Sequence, residues 1–278
     1  MSKILEFTRF SSWVNDYCKI SSHPLINNAG KMVNACLELE SQIPDEYFWK
    51  YSSVESFKAQ MIEVKGSKAI NELYWTDQVR NLEAYSIITY WRGLELLKPA
   101  VRCLNVHDIV SAAVLSRSLL ELSSAYIINA NTIDASFSKI TFPANTLVMS
   151  DEIEALIIKM IWGTRLDKPE PYLSQTNILS LIQKLSKNPN AGELLPTYEY
   201  LCEIAHPNVI GNTRFWSHID DVYEDGSERR VISKKASGNL VDEITGKILW
   251  SMSWSAACMR NSFALMANSI AGVLKKLK

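Results

Sequence analysis

The chain has 278 residues, a formal net charge of −1, 47% hydrophobic and 21% charged residues, and only 10 Gly and 9 Pro. That balance excludes a disordered or low-complexity protein. It supplies no global attraction to nucleic acid or to an anionic membrane, so any such binding needs a local patch. Five cysteines, Cys18, Cys36, Cys103, Cys202 and Cys258, are scattered without C-x-x-C spacing. They indicate neither a disulfide framework nor a zinc site, and they point to a reducing, cytoplasmic setting.

In chain order, residues 1–26 read as an entry segment ending at His23-Pro24, with Glu6, Arg9 and Asp16 breaking any signal-like apolar run. A first helix is expected from Asn27 to Ser41, and a short one from Val54 to Val64. Thr76-Asp77 reads as a cap for a helix whose apolar positions run from Val79 to Leu97, with Pro99 expected to end or kink it. The stretch from Asp108 to Asn131 carries only Arg117 and Glu121 as charges between Ile109 and Asn131. Being apolar on both sides, it is expected to be covered all round, with both charges wholly or partly buried.

Ser150 should cap a helix reaching about Ile161, and a further helix is expected from Thr176 to Lys187 after a loop containing Pro169 and Pro171. The helix ending in YEYLCEIAHPN stops at His206-Pro207. Residues 212–236 read as a β-hairpin turning at Asp225-Gly226, its acidic arm (Asp220, Asp221, Glu224) facing a basic one (Arg229, Arg230, Lys234, Lys235). Residues 240–278 form a long last helix with a stripe at Val241, Ile244, Ile248, Met252, Ala256, Met259, Phe263, Met266, Ile270, Val273 and Leu277. That stripe needs a continuous partner, either within the same bundle or in a second copy, so a homodimer through this helix is one expectation. Arg260 and the polar residues around it make residues 248–274 a packed helix rather than a membrane span. The expectation is a single mainly all-α domain over 1–278, a helical bundle of about six to eight helices with a β-hairpin before a long C-terminal helix.

One cluster invites chemistry. Glu199, Glu203 and His206 share an arc of about 60° on an ideal helix, and Arg117 and Glu121 converge on theirs. If the two helices pack face to face, an Arg, three carboxylates and an imidazole enter one pocket. A di-iron site would need two E-x-x-H pairs and the chain has one, so no metal and no cofactor is assigned. Two readings lead, with a metal- or small-ligand-binding bundle as a third. In the first, His206 is acid or base and Arg117 steadies a phosphorane-like charge during metal-free RNA cleavage, with Tyr198 and Asn208 orienting them and Glu121 and Glu203 completing the site. In the second, Arg117, Glu121, Glu203 and His206 form a buried hydrogen-bonded network that fixes helix register. Arg preceding Glu at i, i+4 is the poorer order for a surface pair, which favours partners on another helix. His107 beside Asp108 reads as a helix-start cap, and His23 and His218 as turn or surface residues.

Arg117-x-x-x-Glu121, with Tyr198-x-x-Leu201-x-Glu203-x-x-His206-Pro207-Asn208 and then Gly211 and Phe215-Trp216, resembles a group of bacterial all-helical proteins that share these two motifs. More distantly it is similar to HEPN proteins, which include toxin and antiviral ribonucleases using an R-x(4-6)-H motif. The resemblance implies a bacterial defence or toxin role, with RNA as the partner on the catalytic reading. No Arg precedes His206 at that spacing, so Arg117 would take its part from another helix. Neither DNA nor a membrane is expected as a partner.

Overall fold

A computed structural model describes residues 9–164, 166, 170–234 and 238–278; residues 1–8 of the entry segment, Pro169 and Lys235 lie outside the described residues. Among the described residues there are ten α-helices and one two-stranded antiparallel sheet. The helices are α1 (Ser12–Ile20), α2 (Pro24–Asn27), α3 (Ala29–Glu38), α4 (Val54–Glu63), α5 (Ser67–Asn105), α6 (Ile109–Ser138), α7 (Asp151–Trp162), α8 (Ile178–Ser186), α9 (Leu194–Ala205) and α10 (Gly238–Leu277). The mainly α class and the hairpin before a long last helix are as the sequence indicates. The two extra helices are short ones near the N-terminus, α1 and α2, which fall in what reads as the entry segment, while α3 is the helix expected from Asn27 to Ser41. None of the helices is long and apolar enough to cross a membrane.

α5 runs past both of its expected limits. The helix does not begin at Thr76-Asp77 but at Ser67, just after Gly66, whose φ of 91° only glycine adopts without strain. Asn71, Tyr74 and Trp75 belong to the helix because they grip the segment before α7. The Asn71 side chain donates to Thr146 O at 2.9 Å and accepts from Val148 N at 2.8 Å, Trp75 Nε1 donates to Val148 O at 2.8 Å, and Tyr74 donates to Ser150 O at 3.0 Å. Nor does Pro99 end α5: Ala100, Val101 and Leu104 beyond it are fully buried, and their burial outweighs one lost backbone bond.

The chain sorts into two compact units. The first takes residues up to Glu38 with Gly93–Ser124 and Ile182–Cys258; the second takes Leu39–Arg92, Ala125–Leu181 and Met259–Lys278. The first unit is cored by residues such as Val14, Leu97, Leu120, Leu201, Ile248 and Met252, and the second by Trp75, Leu82, Tyr90, Tyr126, Phe137 and Ile157. The α10 stripe is buried along almost its whole length, including Ile244, Ile248, Met252, Ala256, Met259, Met266 and Val273. It is therefore satisfied without a second copy of the chain. Ser150 caps α7 as expected, its hydroxyl accepting from Ile153 N at 3.3 Å.

The hairpin pairs β1 (Ser217–Val222) with β2 (Glu228–Ile232), irregular between Ile219 and Asp221, and turns at Gly226, where φ is 82°. Its charge pairing is half realised. Arg229 holds Asp220 across the strands at 2.7 Å through Nε, whereas Arg230 turns to Glu228 on its own strand at 2.8 Å.

Asn105, the last residue of α5, ties the N-terminal segment down: its Oδ1 accepts from Ser11 N at 2.8 Å, its Nδ2 donates to Arg9 O at 2.7 Å, and its carbonyl accepts from Trp13 Nε1 at 3.1 Å. Asn105→Ala leaves a half-buried backbone N–H without its partner and is expected to cost about 1–2 kcal/mol, a fall in melting temperature of roughly 2–6 °C. Thermal unfolding followed by circular dichroism measures it, and an unchanged midpoint would show that the segment contributes nothing to stability.

Candidate functional site

α9 forms because Leu194, Tyr198, Leu201 and Ile204 recur at steps of three and four and all four are buried. It stops at His206, which adopts extended backbone (φ −100°, ψ 159°) because Pro207 disfavours the helical region for the residue before it. His206 N–H still closes the last turn on Cys202 O at 2.9 Å. The chain then folds back in a wide helical turn over Ile210–Arg214, with Gly211 pressed against the helix end. A β-carbon at Gly211 would lie 2.9 Å from Ile204 O and 3.1 Å from the carbonyl oxygens of Glu203 and His206. Only glycine fits there.

The six candidate residues do not converge on one point. Arg117, Glu121 and Tyr198 meet: Arg117 Nη2 lies 3.0 Å from Glu121 Oε1, and Tyr198 OH donates to the same oxygen at 3.1 Å. The Arg117 guanidinium carbon stands 5.7 Å from the centre of the Tyr198 ring, within cation–π range. Glu203 is held elsewhere, accepting from Asn208 Nδ2 at 2.8 Å. His206 is exposed, and its imidazole belongs to neither group. Glu199 is exposed too.

Arg117 and Glu121 are partly buried, with side-chain exposures of 22% and 27%. The expectation that α6 is covered all round fails here, because Val114, one turn before Arg117, is exposed. Arg117 and Glu121 also pair with each other despite the less favourable order along the helix. A neighbouring helix supplies the reason, since Tyr198 fixes the Glu121 carboxylate and packs its ring against the guanidinium.

Burial pushes the Tyr198 hydroxyl up to about 12, against the pull of Arg117 and with a further push from Cys202 and Glu121. Tyr198 therefore remains a hydrogen-bond donor at neutral pH. Burial works against the charge on Arg117, but Tyr198 and Glu121 more than offset it, so its pKa is raised and it stays charged.

The other histidines lie outside this cluster. His107 does not cap the start of α6 but ends α5: it takes φ 60°, its N–H bonds Leu104 O at 3.0 Å, and Asp108 N–H bonds Cys103 O at 2.8 Å. That is the doubly bonded helix ending that glycine usually provides. His107 offsets the strain by stacking on Trp13, centroids 4.2 Å apart and 14° from parallel. His23 caps α2 through Nδ1, which accepts from Leu25 N at 3.2 Å, and His218 lies on β1. Among the described residues, no three His, Cys, Asp or Glu side chains gather in a way that could hold a metal ion. What the sequence did not suggest is a polar pair, Tyr47 and Glu83, bonded at 2.7 Å beside an apolar cleft. The signal available for it was the small second face of α10, Ala267 and Ala271, next to the apolar stripe.

No family model, curated protein or solved structure matches this chain.

Two outcomes follow from this geometry. A group whose pKa is raised in the folded state stabilises it below the unfolded pKa, here about 10 for tyrosine, and that contribution disappears as pH rises through the folded value. Tyr74 and Tyr198 are both pushed up to about 12, so stability is expected to fall between pH 10 and 12. Tyr198→Phe removes part of this alkaline fall, as denaturant titrations at pH 8 and pH 11 would show. Gly211→Ala forces the 210–214 turn away from α9 and is expected to cost about 1–3 kcal/mol. A wild-type melting temperature for that variant would contradict the packing described.

Proposed function

We propose that the chain acts as a non-catalytic helical interaction protein in which Arg117, Glu121 and Tyr198 fasten α9 to α6. One observation carries this reading: the Arg117 guanidinium is engaged by Glu121 and Tyr198, while His206 stands apart, exposed beyond the end of α9. Tyr198 and His206 are eight residues apart, about 12 Å along the helix axis. Metal-free RNA cleavage needs an imidazole and a guanidinium on the same phosphate, within a few ångströms of each other. An Arg held beside Tyr198 is poorly placed for that and has little charge to spare.

An interaction role also has a surface to support it. Phe48 is 94% exposed, and beside it Trp49, Tyr51 and Trp162 pack against one another with ring centres 5.5–5.8 Å apart, leaving Tyr51 and Trp162 about half open. Exposed aromatic clusters of this kind are enriched at protein interfaces. The five free cysteines, three of them buried, support a reducing cytoplasmic compartment.

The competing reading is a HEPN-like ribonuclease of bacterial defence or toxin type acting through His206 and Arg117, and the openness of His206 is what favours it. Purified protein incubated with single-stranded RNA separates the two. The structural reading expects no cleavage above buffer and a His206→Ala melting temperature within about 1 °C of wild type, since an exposed residue contributes little to stability. Cleavage by the wild type that His206→Ala abolishes, with both proteins equally folded, would establish the catalytic reading instead.

A further inference from the structure

Within the second unit, α5 and α10 leave a cleft of about 480 Å³. One wall is the α5 face Glu83, Ser86 and Ile87; the other is the α10 face Phe263, Ala267, Ile270, Ala271 and Leu274; Pro44 and Tyr47 close the side. The two alanines make the trough, because every other position on that α10 face carries a large side chain. From Phe263 to Leu274 the trough follows about 16 Å of helix. Its volume lies in the range of small-molecule sites, and its lining is mostly apolar. The wall is firm where Tyr90 meets Phe263 edge to face, ring centres 5.1 Å apart.

The polar group in this trough is a carboxylate. Tyr47 OH donates to Glu83 Oε2 at 2.7 Å, and among the described residues that is the one hydrogen-bond or ion-pair partner Glu83 has. Burial and the bond to Glu83 push the Tyr47 pKa well up, against a smaller pull from Arg80, so Tyr47 stays the donor. Ser86 is turned away to Tyr126 OH, 2.5 Å from its hydroxyl. A half-buried carboxylate on an apolar wall with one oxygen unused and no cation paired to it is complementary to a single positive charge attached to an apolar body.

We propose that this cleft binds a small hydrophobic amine, its ammonium group on the free oxygen of Glu83 and its alkyl or aryl body against Ile87, Phe263, Ile270 and Leu274. A fatty acid of the same length would bring two carboxylates together, and a fatty alcohol would forgo the ion pair. The ligand class is thus set by charge as well as shape.

Isothermal titration calorimetry of the full chain with dodecylammonium, dodecanol and dodecanoate, each below its micellar concentration, tests this. Dodecylammonium is expected to bind one to one, about tenfold or more tighter than dodecanol, with dodecanoate weakest. Glu83→Gln keeps an acceptor for Tyr47 and should abolish the preference for the amine over the alcohol. Ala271→Leu, at an exposed position that does not disturb the core, should weaken both by about tenfold or more by filling the trough. Dodecanoate binding as well as the amine, a preference that survives Glu83→Gln, or binding that survives Ala271→Leu would each overturn the proposal. So would sedimentation showing that the chain self-associates and that Ala271→Leu returns it to monomer, because a second copy would then occupy the cleft.

Discussion

Close approach between α6 and α10 is the constraint on which the placement of the other elements around Arg117 depends. Ala112, Ala113, Ser116 and Ser123 on α6 are fully buried, and on α10 Ser251 and Ser255 are too. Ser251 Oγ donates to the main-chain oxygen of Ser116 at 2.9 Å, and Ser123 Oγ donates to Ser255 Oγ at 3.0 Å. A side chain on one helix reaches a backbone carbonyl on another only where the residues between them are small, and a run of alanine and serine provides that. Register follows from the same contacts. With Ser116 committed to α10, Arg117 is rotated by about 100° and faces α9 instead.

The Arg117 cluster is then a consequence of packing. A guanidinium and a carboxylate brought to a partly covered surface need partners, because a charge left half buried and unpaired is costly. Tyr198 engages both at once, through its hydroxyl on Glu121 and its ring against Arg117, while Arg117 Nε stays buried without a hydrogen-bond partner among the described residues. The hydroxyl is kept protonated by the burial that seats α9. These three side chains therefore couple helix placement to charge satisfaction, whereas Glu203 and Asn208 form a separate polar pair at the C-terminal end of α9 and the exposed His206 imidazole belongs to neither.

Much of the fold could be read from local chemistry. The Ser150 cap, the Pro207 stop, the Gly226 turn and the α10 stripe each express a rule that acts within a few residues, and each holds. What could not be read is where tertiary contacts override such rules. Thr76-Asp77 has the chemistry of a cap, but Tyr74 and Trp75 are needed as helical residues to hold the segment before α7. Pro99 has the chemistry of a stop, but the burial of Ala100, Val101 and Leu104 carries α5 through it. In the candidate site, periodicity put Arg117 with Glu121, and the two do pair. It turned the wrong side of α9 toward them: Glu199 and His206, read as the facing arc, are exposed, and the side that meets α6 carries Tyr198, about 100° round the helix from Glu199, because Leu194, Leu201 and Ile204 decide which side of α9 is buried.

The central claim is that Arg117, Glu121 and Tyr198 act as one interhelical fastener, and a double-mutant cycle measures that directly. Urea unfolding of wild type, Glu121→Ala, Tyr198→Phe and the double variant at pH 7 should give a coupling energy of about 0.5–1.5 kcal/mol, the double variant losing less than the sum of the singles. Additivity within about 0.3 kcal/mol would mean that the two residues contribute independently, and the account of α9 fastened to α6 through this cluster would be wrong.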